Sequence, residues 1–152
     1  MIEKTAIHIL GRAVLVKEGQ LLVNVNHQSH FYFLPGGHVD PQESVTNALV
    51  RELQEELGIE ATIKQFLSVF EYSFIPTNPT KCHSHEYNFL FEVDVPALQA
   101  DVVPVSPEDH TQFAWVALCN LEKIDFRPAL LKDILFAWYQ KGKMEPFYSK
   151  ME

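Results

Sequence analysis

The chain has 152 residues, of which 47% are apolar and 21% charged, and its formal net charge at pH 7 is −8. This length suits one domain over residues 1–152, and the composition is that of an ordinary soluble globular protein. The acidic balance, without a run of Lys or Arg, argues against a protein that binds a nucleic-acid polymer. No apolar run reaches the roughly 20 residues that cross a bilayer, so we expect no membrane partner.

The N-terminal stretch and the two cysteines bear on where the protein works. The first apolar segment is broken by His8, Gly11 and Arg12, which indicates a first strand and not a signal peptide. Cys82 and Cys119 have no ligand-like spacing, so we expect free thiols. These features favour a cytoplasmic protein.

The first third of the chain has the pattern of β-strands. Apolar, β-branched runs at Ala6–Val16 and Leu21–Val25 flank the polar residues Lys17–Gln20, which is typical of a β-hairpin. A short aromatic strand is predicted at Phe31–Leu34, before a Pro-Gly-Gly turn.

A helix is predicted at roughly Ser44–Leu57, where the apolar residues have helical period. Asp40, Pro41 and Glu43 supply start signals, and Gly58 supplies the stop.

The rest of the chain alternates strands with one more helix. Strands are predicted at Ala61–Phe74, Tyr87–Val95 and Gln112–Leu118, and an amphipathic helix runs from about Pro128 to Lys141. This order indicates an α/β (α+β) fold in which a mixed sheet lies between helices.

Three glutamates crowd one side of the predicted helix. Glu52, Glu55 and Glu56 have the spacing i, i+3 and i+4, at which like charges repel. On a helical wheel they lie beside the apolar stripe, where this repulsion is less screened than on a fully exposed face. They form either a Glu-rich surface or a cradle for a hard divalent cation, which takes oxygen ligands and leaves positions for phosphates.

The flanking residues favour the cation cradle. From Gly37 the sequence reads Gly, five residues, Glu43, seven residues, and then RELQEELGI from Arg51 to Ile59. This resembles the Nudix box, GX5EX7REUXEEXGU with U a bulky aliphatic residue, at every specified position. The preceding Leu34–Gly37 segment, LPGG, is also common in Nudix hydrolases.

The resemblance implies the Nudix fold, an α/β/α sandwich with a central mixed β-sheet, and hydrolysis of a nucleoside diphosphate linked to another group X. It implies that Mg²⁺ or Mn²⁺ is bound by Glu52, Glu55 and Glu56, with the Gly36 carbonyl able to join the metal shell. Glu52 also matches a residue that helps to deprotonate the attacking water in some relatives, whereas others place this base on a later loop. Removing the metal should loosen the helix.

Other box residues have supporting roles by the same resemblance. Arg51 and Glu43 match the ion pair that ties the loop to the helix. Gly36 and Gly37 let the backbone turn sharply, and we expect Gly37 to border the substrate. His38 lies close enough to the metal loop to touch substrate, although turn packing explains it equally well.

A further acidic ligand or substrate contact is expected from outside the box. Glu86 begins an alternating strand, one face of which could point into the site. Glu108 and Asp109 lie in a loop shortly before Trp115, where relatives often hold a mobile catalytic acid. Each of the three could equally be an ordinary exposed carboxylate.

Histidines and aromatic residues add two open questions. His83 and His85 would share one face of a strand, but four well-spaced zinc ligands are absent. The sequence favours a solvated loop here, with a loop histidine near a phosphate pocket as the alternative. Several aromatic side chains could stack on a base, although their alternation favours core packing. They are Phe31, Tyr32, Phe33, Phe74 and Tyr87.

The leading prediction is a MutT-like pyrophosphohydrolase that acts on a nucleoside triphosphate or a damaged nucleotide by water attack on phosphorus. One alternative is a catalytically silent Nudix-fold module that senses a nucleotide. Others are an isomerase, an RNA-decapping hydrolase, or a hydrolase of ADP-ribose or dinucleotide polyphosphates. We expect a small nucleotide as partner, and a monomer or a homodimer.

Overall fold

The computed structural model describes residues 6–76 and 83–151. No helix of these residues combines the length and the apolar character that a bilayer crossing requires. Cys82 lies outside the described residues. The elements, in chain order, are β1 (Ala6–Val14), β2 (Val16–Lys17), β3 (Gln20–Asn26), β4 (Phe31–Phe33), β5 (Gly36–His38), α1 (Val45–Leu57), β6 (Thr62–Ser73), β7 (His83–Asp94), β8 (Phe113–Ala117), a 3₁₀ helix (Leu118–Lys123), α2 (Leu130–Lys141) and β9 (Phe147–Lys150).

The strands form two sheets. The larger has five strands in the order β5-β1-β7-β6-β9, with parallel pairs β1–β7 and β6–β9 and antiparallel pairs elsewhere. The smaller contains β2, β3, β4 and β8, in which β3 pairs with each of the other three. The predicted central mixed sheet is therefore confirmed.

The two helices lie on opposite faces of the large sheet. Neighbouring residues of β1 show this, because successive side chains of a strand point to opposite faces. Val14 packs in the cluster that contains Leu135 of α2, whereas Ala13 packs in the cluster that contains Leu49 of α1. The predicted arrangement of a mixed sheet between helices is confirmed.

The predicted hairpin between Ala6–Val16 and Leu21–Val25 is wrong over most of its length. β1 pairs with β5 and β7, and only the two residues of β2 pair with β3. The chain changes sheets at Leu15, which lies between Val14 at the end of β1 in the large sheet and Val16 at the start of β2 in the small sheet.

α1 occupies the predicted residues, but its start signal is different. Ser44 Oγ accepts a hydrogen bond from the Asn47 N–H (3.1 Å), which satisfies one of the free donors of the first turn. Asp40 and Glu43 do not cap the helix; the Asp40 N–H donates to Glu43 Oε2 (3.1 Å). Gly58 ends the helix with φ 71°, as predicted.

Candidate active site

The glycine pair of β5 lets the backbone lie directly against α1. Gly36 has φ +129°, and a Cβ there would overlap the carbonyl oxygen of Gly11. A Cβ on Gly37 would lie 2.5–2.7 Å from the three carboxyl atoms of Glu52. The Gly36 N–H donates to Glu56 Oε2 (3.4 Å). The loop and the carboxylates of the helix therefore share one small space.

Three carboxylates meet in a pocket of about 230 Å³, which we call the acidic pocket. Its walls include Glu52 and Glu56 of α1 and Glu108 of the loop before β8. Asn24 of β3 also contributes; its buried Oδ1 has no hydrogen-bond partner among the described residues. Every one of these groups offers an oxygen atom.

Glu56 is only 9% exposed, although it carries a carboxyl group. Burial raises the pKa of Glu56 to about 8, and repulsion from Glu52 and Glu108 adds to the rise. Attraction to Arg12 and the hydrogen bond from the Gly36 N–H oppose it. Burial also raises the pKa of Glu52. A site that penalises negative charge in this way favours a bound cation.

Arg51 ties the loop to the helix through several hydrogen bonds. It binds Glu43 bidentately, with Nε 2.8 Å from Oε1 and Nη2 2.9 Å from Oε2. Its Nη1 also donates to Glu52 Oε1 (3.2 Å) and Glu55 Oε1 (3.4 Å), and its Nη2 donates to the His38 carbonyl (3.1 Å). The hydrogen bond from Arg51 lowers the pKa of Glu43 to about 2. This is the ion pair that the sequence predicts.

Three of the predicted site residues that do not line the acidic pocket are exposed: Glu55, Asp109 and His38. The side chain of Glu55 is 48% exposed and contacts Arg51. Asp109 is exposed, and His38 is exposed with its ring against those of His8 and His83.

Glu108 differs from its neighbour Asp109 because its carboxylate is held in place. Its Oε2 accepts a hydrogen bond from Thr111 Oγ1 (2.6 Å). Its backbone N–H donates to Ser106 Oγ (3.1 Å). The loop thus presents one carboxylate to the acidic pocket.

A second, larger pocket of about 440 Å³ adjoins the first, and we call it the aromatic pocket. Phe33 lines both pockets. The aromatic pocket combines ring faces with polar groups that can form hydrogen bonds. Its walls include Phe31, Phe33, Tyr72, Phe74, Arg12, Asn26, Glu86, Asn88 and Arg127. Of the aromatic residues in question, Phe31, Phe33 and Phe74 therefore lie at the pocket, whereas Tyr32 packs against the cluster of α2.

A hydrogen-bonded chain lies along the wall of the aromatic pocket. Asn88 Nδ2 donates to Glu86 Oε2 (3.0 Å), and Arg12 Nε donates to Asn88 Oδ1 (3.3 Å). Arg12 Nη1 donates to the Leu34 carbonyl (3.0 Å). Burial raises the pKa of Glu86, but hydrogen bonds from His83 and Asn88 outweigh burial, so that the pKa lies below its usual value. Glu86 therefore carries a negative charge at neutral pH.

Arg12 was not among the predicted site residues. Burial lowers the pKa of Arg12, while Glu86, Glu56 and Glu52 raise it. A guanidinium stays protonated in proteins, so Arg12 places a positive charge at the wall of the aromatic pocket, close enough to Glu56 and Glu52 to attract them. The signal in the sequence is an arginine within an otherwise apolar strand.

The sequence model of the NUDIX domain matches residues 8–137. The chain belongs to the NUDIX family. Among its relatives, an 8-oxo-dGTP diphosphatase from Buchnera aphidicola subsp. Acyrthosiphon pisum is 30% identical over 113 residues, which are 74% of this chain and 82% of that protein. A CTP pyrophosphohydrolase from Escherichia coli K12 is 40% identical over 60 residues, which are 37% of this chain and 44% of that protein. The second match thus spans less than half of either protein.

Solved structures share the NUDIX fold with this chain. A MutT protein from Methanosarcina mazei Go1 aligns with a TM-score of 0.69 and 23% identity, over 91% of this chain and 98% of that one. A NUDIX hydrolase from Nitrosomonas europaea aligns with a TM-score of 0.68 and 19% identity, over 93% of each chain. The predicted fold and family resemblance are confirmed.

Proposed function

We propose that this NUDIX-family chain is a pyrophosphohydrolase dependent on Mg²⁺ or Mn²⁺, which converts a nucleoside triphosphate, intact or damaged, to the monophosphate and pyrophosphate. The observation that carries the proposal is the adjacency of the two pockets, which share Phe33. One offers oxygen ligands for a cation that binds phosphates, and the other offers aromatic and polar groups for a nucleoside. The relatives described as CTP pyrophosphohydrolase and 8-oxo-dGTP diphosphatase act on substrates of this class.

The residues of the acidic pocket fit a hard divalent cation. Glu52, Glu56 and Glu108 supply carboxylate oxygens, and Asn24 supplies a buried oxygen without another partner among the described residues. Mg²⁺ and Mn²⁺ prefer such oxygen ligands. Glu55, which the resemblance includes in the metal shell, would first have to leave Arg51.

The bound cation would neutralise charge on the phosphate oxygens and lower the pKa of the attacking water. The protein groups do the positioning. Arg51 and Glu43 hold the loop against α1, so that Gly37 stays in contact with the Glu52 carboxyl group. Arg12 lines the aromatic pocket and attracts Glu52 and Glu56 of the acidic pocket, so its positive charge also acts on the phosphates that we place there.

The reaction forms a bond between the water oxygen and one phosphorus and breaks the bond from that phosphorus to the bridging oxygen. The water proton passes to a carboxylate, and the leaving group departs with the bridging oxygen. Glu52 and Glu108 are the two candidates for this base. Glu52 lies against the loop, and Glu108, held by Thr111, lines the same pocket from the loop before β8.

The aromatic pocket has a volume in the range of small-molecule sites. Phe31 and Phe74 offer ring faces on which a base can stack. Asn88 and Arg127 offer side-chain groups that can hydrogen-bond its edge. We therefore place the nucleoside here and the phosphates in the acidic pocket.

A nucleotide panel tests the proposal. Ribo- and deoxynucleoside triphosphates, 8-oxo-dGTP, ADP-ribose and a dinucleotide tetraphosphate are incubated with the protein and Mg²⁺, and products are separated by chromatography. We expect monophosphate and pyrophosphate from at least one triphosphate. Turnover of ADP-ribose or the dinucleotide alone would overturn the substrate assignment.

Phe74→Ala should raise the KM of the preferred triphosphate at least about fivefold, since one base-stacking contact contributes about 1–3 kcal/mol. The Mg²⁺ dependence should stay unchanged, because Phe74 lines the aromatic pocket and not the acidic one. Phe66→Ala is the matched control, because Phe66 is half exposed on β6 and packs on Phe91. Equal KM values for both variants would place the base elsewhere.

Five expectations from the sequence stay predictions: Mg²⁺ or Mn²⁺ as the natural ion, a single domain over residues 1–152, a cytoplasmic location, a monomer or homodimer, and the absence of nucleic-acid and membrane partners.

A further inference from the structure

Three histidines meet outside the acidic pocket. His8, His38 and His83 lie on β1, β5 and β7, and β1 is the middle strand of the three. The ring centroids are 4.7 Å apart for His8 and His38, 4.0 Å for His8 and His83, and 5.3 Å for His38 and His83. One ring nitrogen from each lies within 4.8 Å of those of the other two.

These distances are close to those of a metal site. A tetrahedral zinc ion with Zn–N bonds of about 2.0–2.1 Å needs its nitrogen ligands roughly 3.4 Å apart. Small side-chain rotations therefore suffice to bring the three nitrogens around one ion. His38 is exposed, so its ring has room for this movement.

A carboxylate already orients one of the rings. His83 Nε2 lies 2.6 Å from Glu86 Oε1, and the other oxygen of Glu86 accepts a hydrogen bond from Asn88 Nδ2 (3.0 Å). Histidines that ligate metals nearly always bond a carboxylate or carbonyl through their second nitrogen, which fixes the ring and makes it a better ligand. With Nε2 held by Glu86, coordination of an ion by His83 would use Nδ1.

We propose that His8, His38 and His83 form a binding site for Zn²⁺ or a similar first-row transition ion, distinct from the oxygen-lined acidic pocket. Three imidazoles suit zinc, cobalt and nickel, whereas Mg²⁺ and Mn²⁺ prefer oxygen ligands. Three protein ligands leave a fourth position for water or an anionic group. Glu86 is shared, because it orients His83 and also lines the aromatic pocket.

Zinc titration in excess Mg²⁺ tests the site, because Mg²⁺ competes for the acidic pocket. The protein carries Cys82→Ser and Cys119→Ser, so that thiols cannot bind the ion. Calorimetry should show one Zn²⁺ per chain, and Co²⁺ should give the visible absorption of a four-coordinate ion. Absence of stoichiometric Zn²⁺ binding would overturn the three-histidine site.

Variants locate the bound ion. His8→Gln and His38→Gln should each weaken Zn²⁺ binding at least about 100-fold, and Glu86→Gln should weaken it about 10- to 100-fold. The matched control is His27→Gln, which replaces an exposed histidine outside the cluster and should bind as the parent does. Circular dichroism confirms that each variant is folded.

Two results would contradict the assignment. One is Zn²⁺ binding that survives in both His8→Gln and His38→Gln. The other is Zn²⁺ binding that is lost in Glu52→Gln, which would place the ion in the acidic pocket. The experiment measures Zn²⁺ binding and not hydrolysis. Absence of Zn²⁺ binding would therefore leave the proposed pyrophosphohydrolase activity untouched, and absence of that activity would leave the three-histidine site untouched.

Discussion

Glu56→Gln is expected to lower kcat for Mg²⁺-dependent nucleotide hydrolysis about 10³-fold or more. Glutamine keeps the size of the side chain and an oxygen that can accept from the Gly36 N–H, but it removes the charge from the acidic pocket. A metal ion supplies several kcal/mol of transition-state stabilisation, and each 1.36 kcal/mol is tenfold in rate. Steady-state kinetics over a range of Mg²⁺ concentrations measure the loss.

Three further substitutions compare a carboxylate that lines the acidic pocket with two that do not. Glu52→Gln should cause a comparable loss, because Glu52 lines the same pocket. Glu55→Gln should cost only about tenfold, since Glu55 is exposed and lies against Arg51, where it acts through electrostatics. The control is Glu60→Gln, which replaces an exposed glutamate after α1 and should keep the parental rate. Unchanged kcat and Mg²⁺ dependence in Glu56→Gln would refute the assigned metal shell.

The metal-free chain is expected to lose stability between about pH 5 and pH 9 because of Glu56. The pKa of this group is about 8 in the folded chain, against an ordinary value of 4.5. The folded state therefore holds the proton more tightly than the unfolded state. The stabilisation is fully present below pH 4.5 and is lost as the pH rises through 8. Between about pH 5 and pH 9 the loss amounts to about 4 kcal/mol of unfolding free energy, because about three pH units separate pH 5 from the folded pKa and each contributes about 1.36 kcal/mol.

Urea unfolding in the presence of EDTA, at about pH 5 and about pH 9, measures this loss of unfolding free energy. The comparison of the parent with Glu56→Gln isolates Glu56. It cancels the contributions of His8 and His38 to the pH dependence. Their lowered pKa values make the folded state more stable as the pH rises, and they do so equally in both proteins. The parent should lose about 4 kcal/mol more than the variant, and added Mg²⁺ should remove most of the difference. Parallel pH profiles for the two proteins would show that the Glu56 carboxyl group is not desolvated.

Short segments of the sequence were sufficient to predict α1 and the two carboxylates of α1, Glu52 and Glu56, that line the acidic pocket. The helical period, the stop at Gly58 and the Glu43–Arg51 pair all depend on residues that are close in the chain. The box spacing also placed Glu52 and Glu56 beside the glycine pair, as the structure has them. Helix geometry gives the period of α1, whereas the Glu43–Arg51 pair and the position of Glu52 and Glu56 beside the glycine pair were expected from the resemblance to the Nudix box.

The remaining features depend on contacts between distant segments. The pairing of β1 with β7 replaces the expected hairpin, and no local pattern specifies a partner so far along the chain. The same pairing brings Arg12 to Asn88 and His8 to His83. β9 was missed because four largely exposed residues carry little apolar periodicity. The arginine within a mainly apolar strand was the one available signal for the chain of polar groups along the wall of the aromatic pocket.

Glu52 and Glu56 of α1, with Glu108 of the loop before β8, are proposed to form a site for a divalent cation. Mn²⁺ titration followed by electron paramagnetic resonance tests it directly, because the measurement does not depend on which nucleotide is the substrate. We predict Mn²⁺ binding that Mg²⁺ displaces, that Glu52→Gln/Glu56→Gln abolishes and that His38→Gln leaves unchanged. Equal Mn²⁺ affinity in the parent and in Glu52→Gln/Glu56→Gln would contradict it.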